Sequence, residues 1–258
     1  MTKVSPIQRN ATGDEDDPDN KQHADSFHNI EIDVHDTMQI EDSLHELRLR
    51  RLQELQQLIY ILPMAKANLQ AQDDDLFSLK EKVQEFLASE REVMLILGDS
   101  GAGKSTFNRN LEHQLWTDYE HGGPVPLYIN LPTIDDPAHD LIEKQLQYLS
   151  FPDDQIQEMK QHRQFILICD GYDESQLTIN IHTTNHLNQA GHWRSKIVIS
   201  CRSQYLGQDY HSQFQPQLVD QDQSTWSNLF QEAVIAPFSK EQIEEYVTAT
   251  SPSSPDLG

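Results

Sequence analysis

The segment VMLILGDSGAGKST, Val93–Thr106, constrains this chain more than any other. Five consecutive apolar residues, Val93–Leu97, have the length and composition of a strand buried on both faces. They run into Gly98-Asp99-Ser100-Gly101-Ala102-Gly103-Lys104-Ser105, which fits the pattern G-x-x-x-x-G-K-[ST]. Glycines let a backbone wrap around a phosphate with its amides pointing inward, and a following helix N-terminus favours negative charge. In such a loop Lys104 is expected to reach the β- and γ-phosphates, the Ser105 hydroxyl to ligate magnesium, and Thr106 to touch the α-phosphate. The loop lies between a strand and a helix, which is the context its chemistry needs. The implied ligand is a nucleoside triphosphate with Mg2+, with ATP favoured and GTP left open.

Around this segment the pattern alternates. Apolar strands are expected at Val93–Leu97, Val125–Leu131, Phe165–Cys169 and Lys196–Cys201, with a fifth near Glu232–Ala236. Helical stretches lie between them at Ser105–Trp116, Pro137–Leu149 and Asp153–His162. Continuous apolar strands alternating with helices predict a three-layer α/β fold with a mainly parallel, five-stranded sheet. Ser239–Thr250 reads as a final helix, with Ser239 as N-cap and Gln242 as its capping-box partner.

The flanks differ. Residues 1–36 are polar and acidic and cannot bury enough apolar surface to offset ordering entropy, so they are expected to form a disordered tail. From about Thr37 the sequence turns helical, with Leu52, Leu55, Ile59 and Leu62 as an apolar stripe that Pro63 ends. This helix can pack on its own domain or serve self-association or a protein partner. Asp73, Asp74 and Asp75 are expected to open a second helix whose apolar face is Leu76, Leu79, Val83, Phe86 and Leu87. The expected organisation is thus a tail over 1–36, a helical linker over 37–72, the nucleotide-binding domain over 73–250 and a second tail over 251–258.

The formal charge of −23 repels phosphate backbones and anionic membranes, which argues against nucleic-acid or membrane partners. The two cysteines, Cys169 and Cys201, lie inside apolar runs and read as buried small hydrophobes. The N-terminus has no apolar signal region, and no run is long enough to span a membrane, so a cytoplasmic location is expected.

Two more segments carry chemistry. FILICDGYDE, Phe165–Glu174, places Asp170 at the carboxyl end of a strand, where open α/β sheets bind their ligands. A carboxylate there can hold magnesium. Asp173 and Glu174 then either orient the attacking water or cap a following helix, and Glu174 has the longer reach. KIVISCR, Lys196–Arg202, brings Arg202 to the same edge, either to stabilise charge on a γ-phosphate or as a surface cation. His182 and His186 are four residues apart, but no Cys or carboxylate pattern completes a zinc site around them. Trp116, Trp193 and Trp226 read as packing residues.

Taken together, GDSGAGKST, LICDGYDE and KIVISCR resemble the NACHT group of STAND P-loop NTPases, the nucleotide-binding module of NOD-like receptors. The D-G-x-D-E form of the second segment is the most specific of the three. SQYLGQDY after Arg202 and PLYINLPTIDD at Pro126–Asp136 are similar to fungal members. APFSKEQIEEYV, Ala236–Val247, resembles the passage into the helical domain that follows the NACHT core, and the resemblance spans about Tyr60–Thr250. It implies ATP or GTP binding, slow hydrolysis and a nucleotide-driven switch between monomer and oligomer. It implies that Lys104 and Ser105 belong to Walker A, that Asp170, Asp173 and Glu174 belong to Walker B, and that Arg202 is sensor 1. It also implies that Tyr60–Lys66 lies beside the base. The later helical, winged-helix and repeat domains of the family are not in this sequence, which suggests a chain truncated after the nucleotide-binding core.

Overall fold

The computed structural model describes residues 38–56, 60–72, 75–175, 177–217 and 227–250. In chain order the elements are a helix α1 over 38–55, then β1 Met64–Lys66, β2 Phe77–Ser78, α2 Leu79–Leu87, β3 Val93–Gly98 and α3 Lys104–Thr117. They continue with β4 Val125–Asn130, α4 Leu141–Tyr148, α5 Asp153–His162, β5 Gln164–Asp170 and α6 Ile181–Thr184. The last are β6 Arg194–Arg202, α7 His211–Phe214, β7 Phe230–Ile235 and α8 Lys240–Thr250.

The sheet has seven strands in the order β2-β1-β7-β3-β6-β5-β4. The five expected strands form its parallel part, with β3 between β7 and β6, and β5 between β6 and β4. The expected count of five is corrected by β1 and β2, which add an antiparallel edge beside β7. These two strands are too short, at three and two residues, to show a period in the sequence.

Both faces of the parallel strands are covered. Along β3, Val93, Leu95 and Leu97 join the larger apolar cluster, while Met94 and Ile96 join a second one with Leu79, Val83 and Phe86 of α2. Alternate side chains point to opposite faces, so a strand covered on both must be apolar throughout. Trp116 and Trp193 are buried packing residues, as expected. Cys169 and Cys201 are buried too, and burial raises both thiol pKa values, that of Cys201 to about 12. Trp226 lies outside the described residues.

The region expected as a linker packs into the domain. α1 turns Ile40, Leu44 and Leu47 into the larger cluster and also buries Leu55. That inward face is therefore not available to a partner. Arg51 sits on it and forms a two-point ion pair with the buried Glu112 of α3, Nε to Oε1 at 2.7 Å and a terminal nitrogen to Oε2 at 2.6 Å. Arg48 donates to the Thr117 carbonyl at 2.8 Å, and Glu41 pairs with Arg163 at 2.5 Å. The apolar face thus runs through the arginines rather than starting after them. Of the stripe expected from Leu52 onward, Leu62 is exposed and Ile59 is outside the described residues.

α2 starts later than expected, at Leu79. Its N-cap is Ser78, whose hydroxyl accepts from the Glu81 N–H. Asp73 and Asp74 lie outside the described residues, and Leu76 is exposed. α4 likewise starts at Leu141 rather than Pro137, because Asp136 and Asp140 take positive φ values of 49° and 54° that interrupt a helix. α8 has the expected capping box: the Ser239 N–H donates to Gln242 Oε1 at 2.9 Å, and the Gln242 N–H to Ser239 Oγ at 3.3 Å.

Candidate nucleotide site

The site is built where β3, β6 and β5 end. β6 lies between the strand that enters the glycine loop and the strand that ends in Asp170. Gly98 pairs with Arg202 across β3 and β6, and Cys169 with Ile199 across β5 and β6. Three segments far apart in sequence therefore deliver Lys104, Arg202 and Asp170 to one sheet edge.

The loop after β3 folds as its glycines require. A Cβ on Gly98 would stand 3.1 Å from the Ala102 Cβ, so a larger residue here would press on the loop's own Ala102. Gly103 is the N-cap of α3 with φ 89°, a left-handed conformation that strains other residues. α3 then starts at Lys104, with Ser105 exposed and Thr106 half-buried in its first turn. Lys104 Nζ donates to the Gly98 and Asp99 carbonyls at 2.8 and 2.9 Å. Burial pushes its pKa down and the nearby Arg202 charge adds to this, while Asp173 and Asp170 oppose it. Asp99 in turn accepts from Gln204 Nε2 at 3.2 Å.

Asp170 is buried at the end of β5, and its carboxylate is held from three sides. Oδ1 accepts from Asn108 Nδ2 of α3 at 2.8 Å and from Ser200 Oγ of β6 at 2.5 Å. Oδ2 accepts from the Tyr128 hydroxyl of β4 at 3.0 Å. All three donors are neutral, so they fix the carboxylate without cancelling its charge.

After Asp170 the chain makes a turn, not the expected helix. Gly171 has φ 79°, and a Cβ there would meet Pro132 Cδ at 3.1 Å. The fully buried Tyr172 anchors the turn by donating to the Ile179 carbonyl at 2.6 Å. This brings Asp173 and Glu174 against the end of β6. The Asp173 side chain is 7% exposed and faces Arg202 Nε at 3.1 Å, whereas Glu174 is 53% exposed and pairs with a terminal Arg202 nitrogen at 2.5 Å. α6, the next described helix, is capped by Asn180 rather than by this pair, and Arg202 is paired with both carboxylates. His182, by contrast, is buried, with its Nε2 in a hydrogen bond to the Glu92 carboxylate at 2.7 Å.

Beside the loop lies a cavity of about 700 Å3, walled by the loop, Lys66, Leu69, the end of β7 and Ile243 of α8. Of the segment Tyr60–Lys66, Lys66 reaches this wall, while Tyr60 lines a separate cavity between α2 and α3. Ser105 and Asp170 offer a hydroxyl and a carboxylate, hard oxygen donors that suit a small divalent cation, which commonly keeps several waters and needs few protein ligands. The residues present fit such an ion.

Asn108, Tyr128 and Ser200 do not stand out in the sequence. The one signal is Asn108, four residues after Lys104 and hence on the same face of α3.

The sequence model of the NACHT domain matches residues 92–253, more than half of the chain. No curated protein sequence matches it. With the glycine loop, the carboxylate at the end of β5 and the arginine at the end of β6 on one sheet edge, the chain belongs to the NACHT domain family of P-loop NTPases.

Proposed function

We propose that this chain binds ATP with Mg2+ and hydrolyses it slowly at the β–γ bond, as a cytoplasmic switch NTPase. The observation that carries the reading is the convergence of Lys104, Asp170 and Arg202 on one edge, set by the register of β3, β6 and β5. Loop amides and the N-terminus of α3 cradle the phosphates, and Lys104 leaves the Gly98 and Asp99 carbonyls to meet the β- and γ-oxygens. Ser105 and Asp170 would hold the magnesium, Asp170 directly or through water. When bound, the ion offsets negative charge on the β- and γ-phosphates.

The assignment of Asp170 rather than Asp173 to the cation rests on charge. Asp170 is held by neutral donors, while Asp173 is already paired with Arg202. Glu174, the more exposed of the acidic pair, orients the attacking water and accepts its proton. The water oxygen bonds to the γ-phosphorus, the bond to the bridging oxygen breaks, and its electron pair stays on the β-phosphate. Arg202 stabilises charge on the γ-oxygens. Glu174 must first loosen its ion pair with Arg202, which accords with slow turnover.

The cavity beside the loop favours adenine. Leu69, Val234, Ile235, Pro237 and Phe238 supply apolar wall, and the one lining carboxylate, Asp99, belongs to the phosphate-binding loop rather than to that apolar wall. A guanine edge presents N–H donors that call for an acceptor such as a carboxylate. The Arg202 pairing of both acidic residues also favours a second reading, a scaffold that holds nucleotide without turning it over.

The test is a titration with a fluorescent ATP analogue, with Mg2+ and with EDTA, competed by ATP and GTP, followed by single-turnover phosphate release. Tight magnesium-dependent binding with measurable release supports the switch. Binding without release selects the scaffold, and no binding overturns both. Asp170→Asn is expected to remove the magnesium-dependent part of the affinity and spare the rest. An equal loss in EDTA would make Asp170 structural.

A further inference from the structure

Asn108 is fully buried on α3, four residues past Lys104. A buried amide costs free energy unless its polar atoms are paired. Its Nδ2 donates to Asp170 Oδ1 at 2.8 Å, and its Oδ1 has no hydrogen-bond partner among the described residues. The opposite amide orientation would set Oδ1 against the carboxylate, so Asp170 itself dictates which way the amide faces. An apolar residue at this helical position would avoid the unpaired oxygen, and the one interaction that offsets it is the bond to Asp170.

That bond joins two parts of the site that the backbone does not connect. Lys104 and Ser105 begin α3, whereas Asp170 ends β5. The other two donors to Asp170, Tyr128 and Ser200, come from the strands on either side of β5 and hold it to the sheet. Asn108 is the donor from the helix that carries the phosphate-binding lysine. It is neutral, so it fixes the carboxylate relative to α3 and leaves its charge for a cation.

We propose that Asn108 is a positioning residue that couples phosphate binding at α3 to cation binding at Asp170. The inference rests on the nucleotide and magnesium site proposed above. With the coupling intact, magnesium tightens nucleotide binding and, by linkage, nucleotide tightens magnesium binding by the same factor. Without it, each ligand still binds, but the mutual enhancement falls. Tyr128 acts on the same carboxylate from the sheet and is expected to share the effect less strongly, because it does not report the position of α3.

The test measures affinity for a fluorescent ATP analogue with Mg2+ and with EDTA, in the wild type and in Asn108→Leu, an apolar residue of similar size. Mn2+ binding, followed by its electron paramagnetic resonance signal with and without nucleotide, gives the reciprocal measurement. The expected result is an enhancement by magnesium at least roughly fivefold smaller in Asn108→Leu than in the wild type, with affinity in EDTA nearly unchanged. An equal enhancement in both proteins overturns the proposal, and so does an equal loss with Mg2+ and with EDTA. Should Asn108→Leu fail to fold, Asn108→Ala removes the same bond to Asp170 without crowding the core. A reduced enhancement in that variant supports the coupling, and an unchanged one overturns it. A wild type that binds no nucleotide overturns the site reading and this inference with it. A wild type that shows normal enhancement beside an unaffected Asn108→Leu overturns the inference alone.

Discussion

Asp173 holds Arg202 at two points: its carboxylate accepts from the Arg202 backbone N–H at 2.9 Å and faces the guanidinium Nε at 3.1 Å. Glu174 takes a terminal nitrogen of the same guanidinium at 2.5 Å. The segment that ends β5 and the residue that ends β6 are therefore one unit. The two carboxylates differ in what they can still do, since Asp173 is buried and doubly engaged while Glu174 is half-exposed and engaged once.

Glu174→Gln is expected to keep ATP binding and to slow phosphate release roughly a hundredfold, because the amide keeps the shape but accepts no proton. Asp173→Asn is expected to loosen Arg202 and slow release by a smaller factor. Single-turnover phosphate release at saturating ATP ranks the two. A dead Asp173→Asn beside a normal Glu174→Gln would swap their roles.

Lys104→Ala is expected to weaken nucleotide binding with the fold intact. One charge-assisted contact to phosphate is worth about 1.5–3 kcal/mol, or roughly tenfold to over a hundredfold in affinity. Titration with a fluorescent nucleotide, alongside circular dichroism, measures both. Unchanged affinity in a folded protein would remove the loop from the binding site.

Leu44→Ala is expected to destabilise the domain by about 2–5 kcal/mol, since Leu44 is fully buried and its removal leaves a cavity. Denaturant unfolding gives the value. A loss below about 0.5 kcal/mol, the scale of surface substitutions, would mean that α1 contributes little to the core.

Glu92→Gln is expected to lower stability at neutral pH by about 1.5–3 kcal/mol, the scale of a hydrogen bond to a charged group. Burial raises the Glu92 pKa, but hydrogen bonds from His182 and Asn188 outweigh it and leave the folded value below the ordinary carboxylate range. The ionised form is then the one that stabilises the fold. Its contribution is complete above the unfolded pKa and is lost as pH falls through the folded one. Thermal melts at pH 7 and pH 3 should show the gap between variant and wild type closing in acid. A gap that persists at pH 3 would assign the effect to packing.

The parallel part of the fold was legible because its strands carry apolar runs that the two covered faces require, unbroken in Val93–Leu97 and Phe165–Cys169. Helix ends were less legible. Pro137 looked like a helix start, yet the left-handed Asp140 delays it to Leu141. α1 begins where expected, but its apolar face was read only from Leu52 onward, because Arg51 on its buried face is paired with Glu112, sixty-one residues away. Local periodicity sees a charge there and cannot see its partner.

The glycine loop, its lysine and the alternation of strand and helix were determined by sequence alone, since they depend on backbone conformation and hydrophobic period, which act over a few residues. The strand order that inserts β6 between β3 and β5 was decided by the tertiary structure. So were the three neutral donors around Asp170 and the pairing of Asp173 and Glu174 with Arg202. These contacts join side chains 28 to 62 residues apart, and hydrogen bonds and ion pairs act only over a few ångströms, so they exist only once the sheet has brought its strand ends together.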